Sequence, residues 1–243
     1  MGLGPGACHS GRVRRPPNDL GLYDDLADEW WDPAGAFAML HWLAAARARL
    51  VPPATRSGAV LLDLGCGGGL LAPHVAGKGY RHVGVDLVPS ALGHATRHGV
   101  DAVRADVSAL PVRSGRADVV SAGEILEHVT DLEATVAEAC RALRSGGLLV
   151  LDTLADTALC RLVAITLAER VGGAPRGVHD PALLVDPARL VALCAEHGVE
   201  LEVRGIRPSL TGLARRAAGH PGPVPMVPTF TTAVLYQGKG VKW

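Results

Sequence analysis

Residues 123–131 read GEILEHVTD and contain three side chains that could bind a cation or accept a proton. Glu124, Glu127 and His128 stand at spacings of three and one, so a helical turn would place them on one face. They could hold a divalent metal ion, supply a general base, or form an ordinary solvated helix start. The segments that precede this run decide among these three interpretations.

The composition restricts the class of protein. The chain has 243 residues, 48% hydrophobic and 20% charged, a balance that fits one globular domain with an elaboration. Its formal net charge is zero, so the basic field of a nucleic-acid-binding protein is absent and we expect no nucleic-acid partner. Five scattered cysteines without a CxxC pair favour free thiols in a reducing cytoplasm.

The termini and the hydropathy pattern add further expectations. Residues 1–19 lack the apolar region of a secretory signal and predict a flexible N-terminal tail. No run approaches the roughly 20 apolar residues that a membrane span requires.

Alternating strand and helix patterns predict an α/β fold. The expected strands lie at 59–64, 82–87, within 100–107, and at 116–123, 148–154, 199–208 and 229–237. Continuous apolar runs such as AVLLDL are typical of buried parallel strands. We therefore expect one Rossmann-like domain, residues 20–243, with a seven-stranded, mostly parallel sheet, helices on both faces and an antiparallel last strand. Residues 20–52 would form a helical lid, and residues 154–186 would form an insertion on the substrate side.

The clearest binding signal is VLLDLGCGGG at residues 60–69, where a buried strand runs into a glycine-rich turn. Glycines allow a tight turn and let a ligand approach bare amides at a helix N-terminus. Asp86 ends the next predicted strand, 23 residues after Asp63, where a carboxylate can accept hydrogen bonds from ribose hydroxyls.

The first acid of this loop distinguishes between two cofactors. A dinucleotide fingerprint reads GxGxxG, whereas this loop places Asp63 two residues before Gly65. A carboxylate there would repel a pyrophosphate but could orient the ammonium group of S-adenosylmethionine (SAM). We therefore expect SAM, with Cys66, Gly67 and Leu87 in the two turns that surround it.

Three later positions fit the same cofactor. Asp106 and Val107 follow the third predicted strand, where the acid could accept the adenine amino group and the valine could pack on the ring; a solvated loop acid is the competing interpretation. Gly123 follows the fourth strand, where a missing side chain would let the backbone approach the sulfonium.

Four segments together resemble the ubiquinone-biosynthesis O-methyltransferases, which are class I SAM-dependent enzymes that act on polyprenylated catechols and hydroquinols. The segments are EWWDPAGAFAMLH (29–41), LDLGCGGGLLA (62–72), GEILEHV (123–129) and GVHDPALLVDPARL (177–190). The glycine loop indicates only the superfamily, whereas the WWD and GxHD segments point to this family. The resemblance implies methyl transfer from SAM to a phenolic or catechol oxygen. It also implies that Arg47 meets the methionine carboxylate, that Asp86 binds ribose and that Gly65 and Gly123 adjoin the cofactor.

For the run at residues 123–131, the resemblance implies a divalent cation bound by Glu124, Glu127 and His128. Carboxylate oxygens suit Mg²⁺, and the imidazole would tolerate Zn²⁺. Similar runs occur in methyltransferases without a metal, where the histidine lies near the active site, so both interpretations stay open. His128 is the first candidate for the general base, with Glu124 and Glu127 binding the metal or the substrate hydroxyl. His179 could reach the substrate, and His41 is a weaker candidate for the base.

The chain departs from the family where a substrate pocket would lie, at residues 152–160, 181–187 and 220–228. A polyprenylated quinol, a smaller phenol and a natural-product intermediate are therefore all compatible acceptors. The sequence is also compatible with C-methylation, with a nicotinamide-dependent oxidoreductase and with a SAM-binding module that lacks catalysis. The apolar segment 156–173 could pack into the core, cover the pocket or make a weak peripheral contact with the inner membrane. The oligomeric state stays open.

Overall fold

The structure is a computed structural model that describes residues 16–168, 175, 177–220 and 222–243. Residues 1–15 of the predicted tail, and residues 169–174 and 176 of the predicted insertion, lie outside the described residues. The described part of the chain forms a mostly parallel sheet with helices packed on both faces. The predicted Rossmann-like α/β class is therefore confirmed.

The sheet has the strand order β3-β2-β1-β4-β5-β8-β6-β7. Strands β1 to β5 pair in parallel, whereas β8 is antiparallel to both β5 and β6, and β7 is antiparallel to β6. The last strand is thus antiparallel, as predicted. The strands are β1 Ala59–Leu64, β2 Tyr80–Asp86, β3 Asp101–Arg104, β4 Ala117–Gly123, β5 Leu143–Leu154, β6 Val199–Pro208, β7 Met226–Thr229 and β8 Leu235–Lys242.

The prediction of seven strands is wrong, because the described chain forms eight. The segment expected as one final strand, 229–237, is divided between the end of β7 and the start of β8. Between the two strands the chain crosses over Gly205, where the carbonyl oxygen of Thr231 lies 1.8 Å from the position a Cβ would take. Pro228 lies within β7 at the edge of the sheet, where proline is tolerated.

The helices are α1 Gly21–Asp25, α2 Ala38–Ala48, α3 Ala72–Val75, α4 Pro89–Arg97, α5 Leu132–Ala142, α6 Ala158–Cys160, α7 Pro187–Glu196 and α8 Leu210–Ala217. Neighbouring residues of β1 face opposite sides of the sheet, as the pleat requires. Leu62 joins the core that contains Val136 of α5, whereas Leu61 joins the core that contains Val75 of α3. Buried apolar side chains therefore cover both faces of the sheet.

Parallel pairing brings the ends of several strands to one edge of the sheet, where ligands of open α/β sheets bind. Asp63 and Asp86 lie at or near the ends of β1 and β2. Gly123 ends β4 and stands opposite Asp152 of β5 in the strand register. The acids and the bare glycine that the sequence separates by many residues thus become neighbours.

Two segments lie against this edge. Residues 20–52 form the short helix α1, a 3₁₀ turn at Ala27–Glu29 and helix α2 rather than one continuous helix. After β5, helix α6 continues into a π-helical stretch, Arg161–Ala168. Within the described residues, every helix is too short or too polar to cross a bilayer.

Candidate active site

A cleft opens at this edge of the sheet, with an empty volume of about 1140 Å³ that includes the part open to solvent. Its walls come from the glycine loop, the N-terminal segment, the residues after β4 and the loop that holds His179. Most of the predicted site residues line it, namely Arg47, Asp63, Gly65, Cys66, Gly67, Asp86, Gly123, Glu124, His128 and His179. The fold therefore gathers candidates from five separate parts of the sequence.

Four predicted site residues lie outside the lining of the cleft. The Leu87 side chain is exposed, Val107 belongs to the core and Glu127 is fully buried beneath the cleft. Asp106 is exposed, and its Oδ1 accepts hydrogen bonds from the Ser108 amide and hydroxyl at 2.8 and 2.7 Å, which lower the pKa of its carboxyl. The roles of Asp106 and Val107 at an adenine ring stay predictions.

Asp86 fixes the shape of the glycine loop. Its Oδ2 accepts a hydrogen bond from the Gly67 amide at 2.8 Å, and its Oδ1 accepts one from the Val88 amide at 2.9 Å. Gly65 and Gly67 have φ values of 62° and 50°, in the left-handed region that glycine adopts without strain. Burial raises the pKa of Asp86 although these two amides oppose the change. Burial also raises the pKa of the Cys66 thiol, so this cysteine is no nucleophile at neutral pH.

Two tryptophans hold the glycine loop from outside. The Trp30 ring lies where a Cβ would project from Gly67 or Gly68, at 2.5 and 2.8 Å from those positions. It stacks on Phe37 with ring centroids 4.2 Å apart, and Trp31 donates its Nε1 hydrogen to the Gly68 carbonyl at 3.0 Å. The glycines are thus required by the packing of the indole as well as by the turn.

An unpredicted acid, Asp152, holds Arg47 in the cleft. The Arg47 Nη1 lies 2.5 Å from Asp152 Oδ1, and both side chains are buried. A Cβ on Gly123 would lie 1.8 Å from Nη1, so the missing side chain at this position makes room for the guanidinium. The Arg47 Nε is buried without a hydrogen-bond partner. The sequence contained one signal for this residue: Asp152 is the acid that ends the apolar run LLVLD.

The two glutamates of the opening motif form an acidic pair, in which Glu127 is fully buried and Glu124 is half-buried in the wall of the cleft. Glu124 has a φ of 50°, which is a strained conformation for a residue with a side chain. Glu127 accepts a hydrogen bond from the Thr153 hydroxyl at 2.7 Å, and one carboxyl oxygen of each glutamate is buried without a partner. Burial, followed by repulsion from Glu127, raises the pKa of Glu124, and burial raises the pKa of Glu127 to about 7.

His128 lies beside this pair, in a 3₁₀ turn at Leu126–His128 instead of the expected α-helical turn. Its ring stacks on that of His179 with centroids 5.5 Å apart, and Tyr23 contacts it edge-on at 6.4 Å. Burial, with a smaller effect of His179, lowers the pKa of His128 to about 3, so the imidazole is neutral at physiological pH. Asn18 forms two hydrogen bonds with His128, although the sequence placed this residue in a flexible tail.

The weaker base candidate, His41, is used elsewhere. Its Nε2 lies 2.9 Å from the Trp30 carbonyl oxygen, and its ring meets Trp31 edge-on, so it connects α2 to the preceding loop.

Within the described residues, no group of three His, Cys, Asp or Glu side chains is arranged to hold a metal ion.

Comparisons with known proteins identify the family. Residues 62–151 match the family model described as a methyltransferase domain. The ubiquinone biosynthesis O-methyltransferase of Thiobacillus denitrificans is 37% identical over 193 residues, which cover 76% of this chain and 83% of that protein. This chain belongs to the ubiquinone biosynthesis O-methyltransferase family. The member from Burkholderia pseudomallei is 34% identical over 200 residues, covering 78% and 86% of the two chains.

Solved structures agree on the fold. A SAM-dependent methyltransferase from Thermotoga maritima superposes with a TM-score of 0.66 at 16% identity, over 92% of this chain and 99% of that chain. This family member is a SAM-dependent O-methyltransferase, so the predicted cofactor and reaction class are confirmed.

Proposed function

We propose that this methyltransferase methylates a ring hydroxyl of a polyprenylated catechol or demethylubiquinol in ubiquinone biosynthesis. The observation that carries the proposal is a single cleft in which Arg47 and Asp63 lie beside the acid–base group Glu124, His128 and His179. The other walls include apolar side chains suited to an aromatic ring and a prenyl chain, such as Leu20, Met39, Leu40, Leu43 and Val178. The names of the curated relatives support the same acceptor class.

The cofactor half of the cleft has complementary charges for the ends of SAM. Arg47 would bind the methionine carboxylate, since its buried Nε has no partner within the protein. Asp63 would bind the ammonium group and Asp86 the ribose hydroxyls. Gly123 has no side chain that could block the sulfonium. SAM supplies an electrophilic methyl group, and the residues of the cleft fix the line along which the acceptor oxygen approaches.

His128 would accept the proton of the acceptor hydroxyl. Burial keeps this imidazole neutral, but a pKa of about 3 makes it a weak base, so it would accept the proton only as the oxygen attacks the methyl group. Glu124, which shares the cleft, would orient the hydroxyl, and His179 would pack against the His128 ring on the acceptor side.

We infer that a divalent cation is the alternative means of activating the hydroxyl. Glu124, Glu127 and His128 would hold it, and His128 would then be a ligand instead of the base. The donor chemistry supports Mg²⁺ or Zn²⁺, because each glutamate has a buried carboxyl oxygen without a partner. A cation there would lower the pKa of the acceptor hydroxyl and orient its oxygen. Since the described residues do not form a ready group of three ligands, water or the acceptor would complete the coordination.

A weak peripheral contact with the inner membrane would bring the lipid-soluble acceptor to the cleft from the cytoplasmic side. Three apolar side chains on α6 and the π-helical stretch support this proposal. The exposed fraction is 47% for Leu159, 51% for Leu162 and 38% for Val163. Arg161 lies among them, but its guanidinium pairs with Asp156, so apolar contact would carry the attraction.

The test is transfer of labelled methyl from SAM to a panel of catechols and hydroquinols with short and long prenyl chains. We expect O-methylated product, identified by mass spectrometry, and His128→Ala should lower turnover at least about a hundredfold. His197→Ala, at an exposed helix end, is the matched control and should change nothing. Turnover that EDTA abolishes and Mg²⁺ or Zn²⁺ restores would support the cation. A preference for acceptors without a prenyl chain would contradict the proposed acceptor class.

A further inference from the structure

Asn18, the only asparagine in the chain, connects the two loops that carry the cleft histidines. Its side-chain Nδ2 donates a hydrogen bond to the His128 carbonyl at 2.9 Å, and its Oδ1 lies 2.8 Å from His128 Nδ1. Its backbone amide donates to the Gly177 carbonyl at 3.1 Å, two residues before His179. Asn18 itself lines the cleft. These contacts bridge 110 positions of sequence between Asn18 and His128.

This double contact determines which nitrogen of His128 carries the proton. The His128 carbonyl oxygen can only accept, so the part of the Asn18 amide that faces it is the NH₂ group. The other part is therefore the oxygen, which can only accept as well. It faces Nδ1 at 2.8 Å, so Nδ1 carries the hydrogen and donates it. In a neutral imidazole, the second nitrogen, Nε2, then has the lone pair.

We propose that Asn18 is a positioning residue for methyl transfer, which holds His128 as the Nδ1–H tautomer and leaves Nε2 to accept the acceptor's hydroxyl proton. This inference rests on the proposed role of His128 as the base. The O–H bond breaks as an N–H bond forms at Nε2. The oxygen pair forms the new bond to the methyl carbon, and the carbon–sulfur electrons stay on sulfur.

The backbone of Asn18 determines which substitutions test the proposal cleanly. Its φ of 61° lies in the left-handed region, which Asn, Asp and Gly tolerate and which other side chains strain. Asn18→Gly therefore removes the amide without backbone strain. Asn18→Asp keeps an oxygen that can accept from Nδ1 while it loses the donor to the His128 carbonyl.

We expect Asn18→Gly to lower kcat about 10-fold to 100-fold and Asn18→Asp to restore most of that loss, with the SAM dissociation constant within about twofold in both. Asp24→Ala is the matched control, because Asp24 tethers the same N-terminal segment to Ser90 at 2.5 Å without touching His128. An equal loss of kcat in Asp24→Ala and Asn18→Gly would mean that Asn18 only anchors the N-terminal segment, and it would overturn the proposal.

A spectroscopic measurement tests the tautomer independently of turnover. With ¹⁵N-labelled histidine, the wild-type signals of His128, assigned by their loss in His128→Ala, should show a protonated Nδ1 and a bare Nε2. Asn18→Gly should shift them towards a mixture of tautomers. Because the chain has one asparagine, ¹⁵N-asparagine labelling gives a single side-chain amide whose exchange reports the bond to His128.

These readouts separate the two levels of inference. A protonated Nε2 in the wild type would overturn the role of Asn18 even if catechols are methylated. The predicted tautomer in a protein that methylates no phenol would refute the proposed function and, with it, the catalytic part of this inference. An unchanged kcat in Asn18→Gly, with active wild-type enzyme, would overturn the positioning role.

Discussion

The guanidinium of Arg47 and the carboxylate of Asp152 form an ion pair at 2.5 Å, with only 9% and 0% of their side chains exposed. Helix α2 supplies the cation and strand β5 the anion, so the pair fastens the N-terminal segment to the sheet beside the cleft. Breaking a buried pair leaves one charge without compensation, which makes this contact sensitive to single substitutions.

Asp152→Asn should therefore lower the free energy of unfolding by about 3 kcal/mol and weaken SAM binding, because Arg47 loses the group that orients it. Urea unfolding and calorimetric titration with SAM measure the two effects. The matched control is Asp101→Asn, which breaks the exposed pair with Arg81 and should cost less than about 1 kcal/mol. An unchanged SAM affinity in Asp152→Asn would show that the pair does not position Arg47 for the cofactor.

Gly123→Ala should abolish SAM binding by displacing Arg47, since the added Cβ would lie 1.8 Å from Nη1. The guanidinium cannot retreat easily because Asp152 holds it. Gly77→Ala is the control, for nothing lies within 4 Å of a Cβ at that position. Equilibrium dialysis with labelled SAM distinguishes them, and equal affinities for the two variants would contradict the packing described for Gly123.

Glu124→Gly should stabilise the protein while it lowers methyl transfer. The substitution relieves a φ of 50° and removes a carboxyl with a buried, unpartnered oxygen, together worth about 1–3 kcal/mol. Glu196→Gly, at the end of α7, should instead destabilise by about 1 kcal/mol. Thermal unfolding and initial rates provide the comparison. A lower melting temperature in Glu124→Gly would mean that the carboxyl stabilises the native state.

Asp118 gives a prediction for acid stability. Although burial opposes it, hydrogen bonds from Arg56, the Val60 amide and Arg144 lower the pKa of Asp118 to about 2. A carboxyl with a depressed pKa in the folded state contributes stability that is present above its unfolded pKa and is lost as the pH falls through the folded value. Wild type should exceed Asp118→Asn by about 2 kcal/mol at pH 6.

The difference between these two proteins should shrink between pH 4 and pH 2, as urea titrations at each pH would reveal. A constant difference over that interval would assign the stabilisation to packing rather than to the charge of Asp118.

Local patterns were enough to predict the parallel part of the sheet and the glycine loop. An apolar run followed by Asp63 and glycines requires few distant partners, so its period and composition indicate its structure. The position of Asp86 followed from the same logic. The split between β7 and β8 did not, because a crossing over Gly205 depends on a neighbour that the pattern of residues 229–237 does not contain.

Long-range contacts limited the prediction of the site. Nothing in the spacing of Asn18 and His128 indicates that an amide in a presumed tail would meet an imidazole after β4. The pairing of Arg47 with Asp152 depends in the same way on how α2 packs on the sheet. Asp106, conversely, was predicted from its position after the third strand, yet its Oδ1 already accepts hydrogen bonds from Ser108.

The indole of Trp30 gives the cleft an optical reporter of its own. It is buried, stacked on Phe37 and pressed onto Gly67 and Gly68, whereas Trp243 at the chain end is exposed. A ligand that shifts the glycine loop would change the surroundings of Trp30 and also of Trp31, which is hydrogen-bonded to Gly68, so the emission of these two indoles would follow occupancy of the cleft without a label. Replacing Trp243 by Phe would remove the solvent-exposed background and leave that signal easier to resolve.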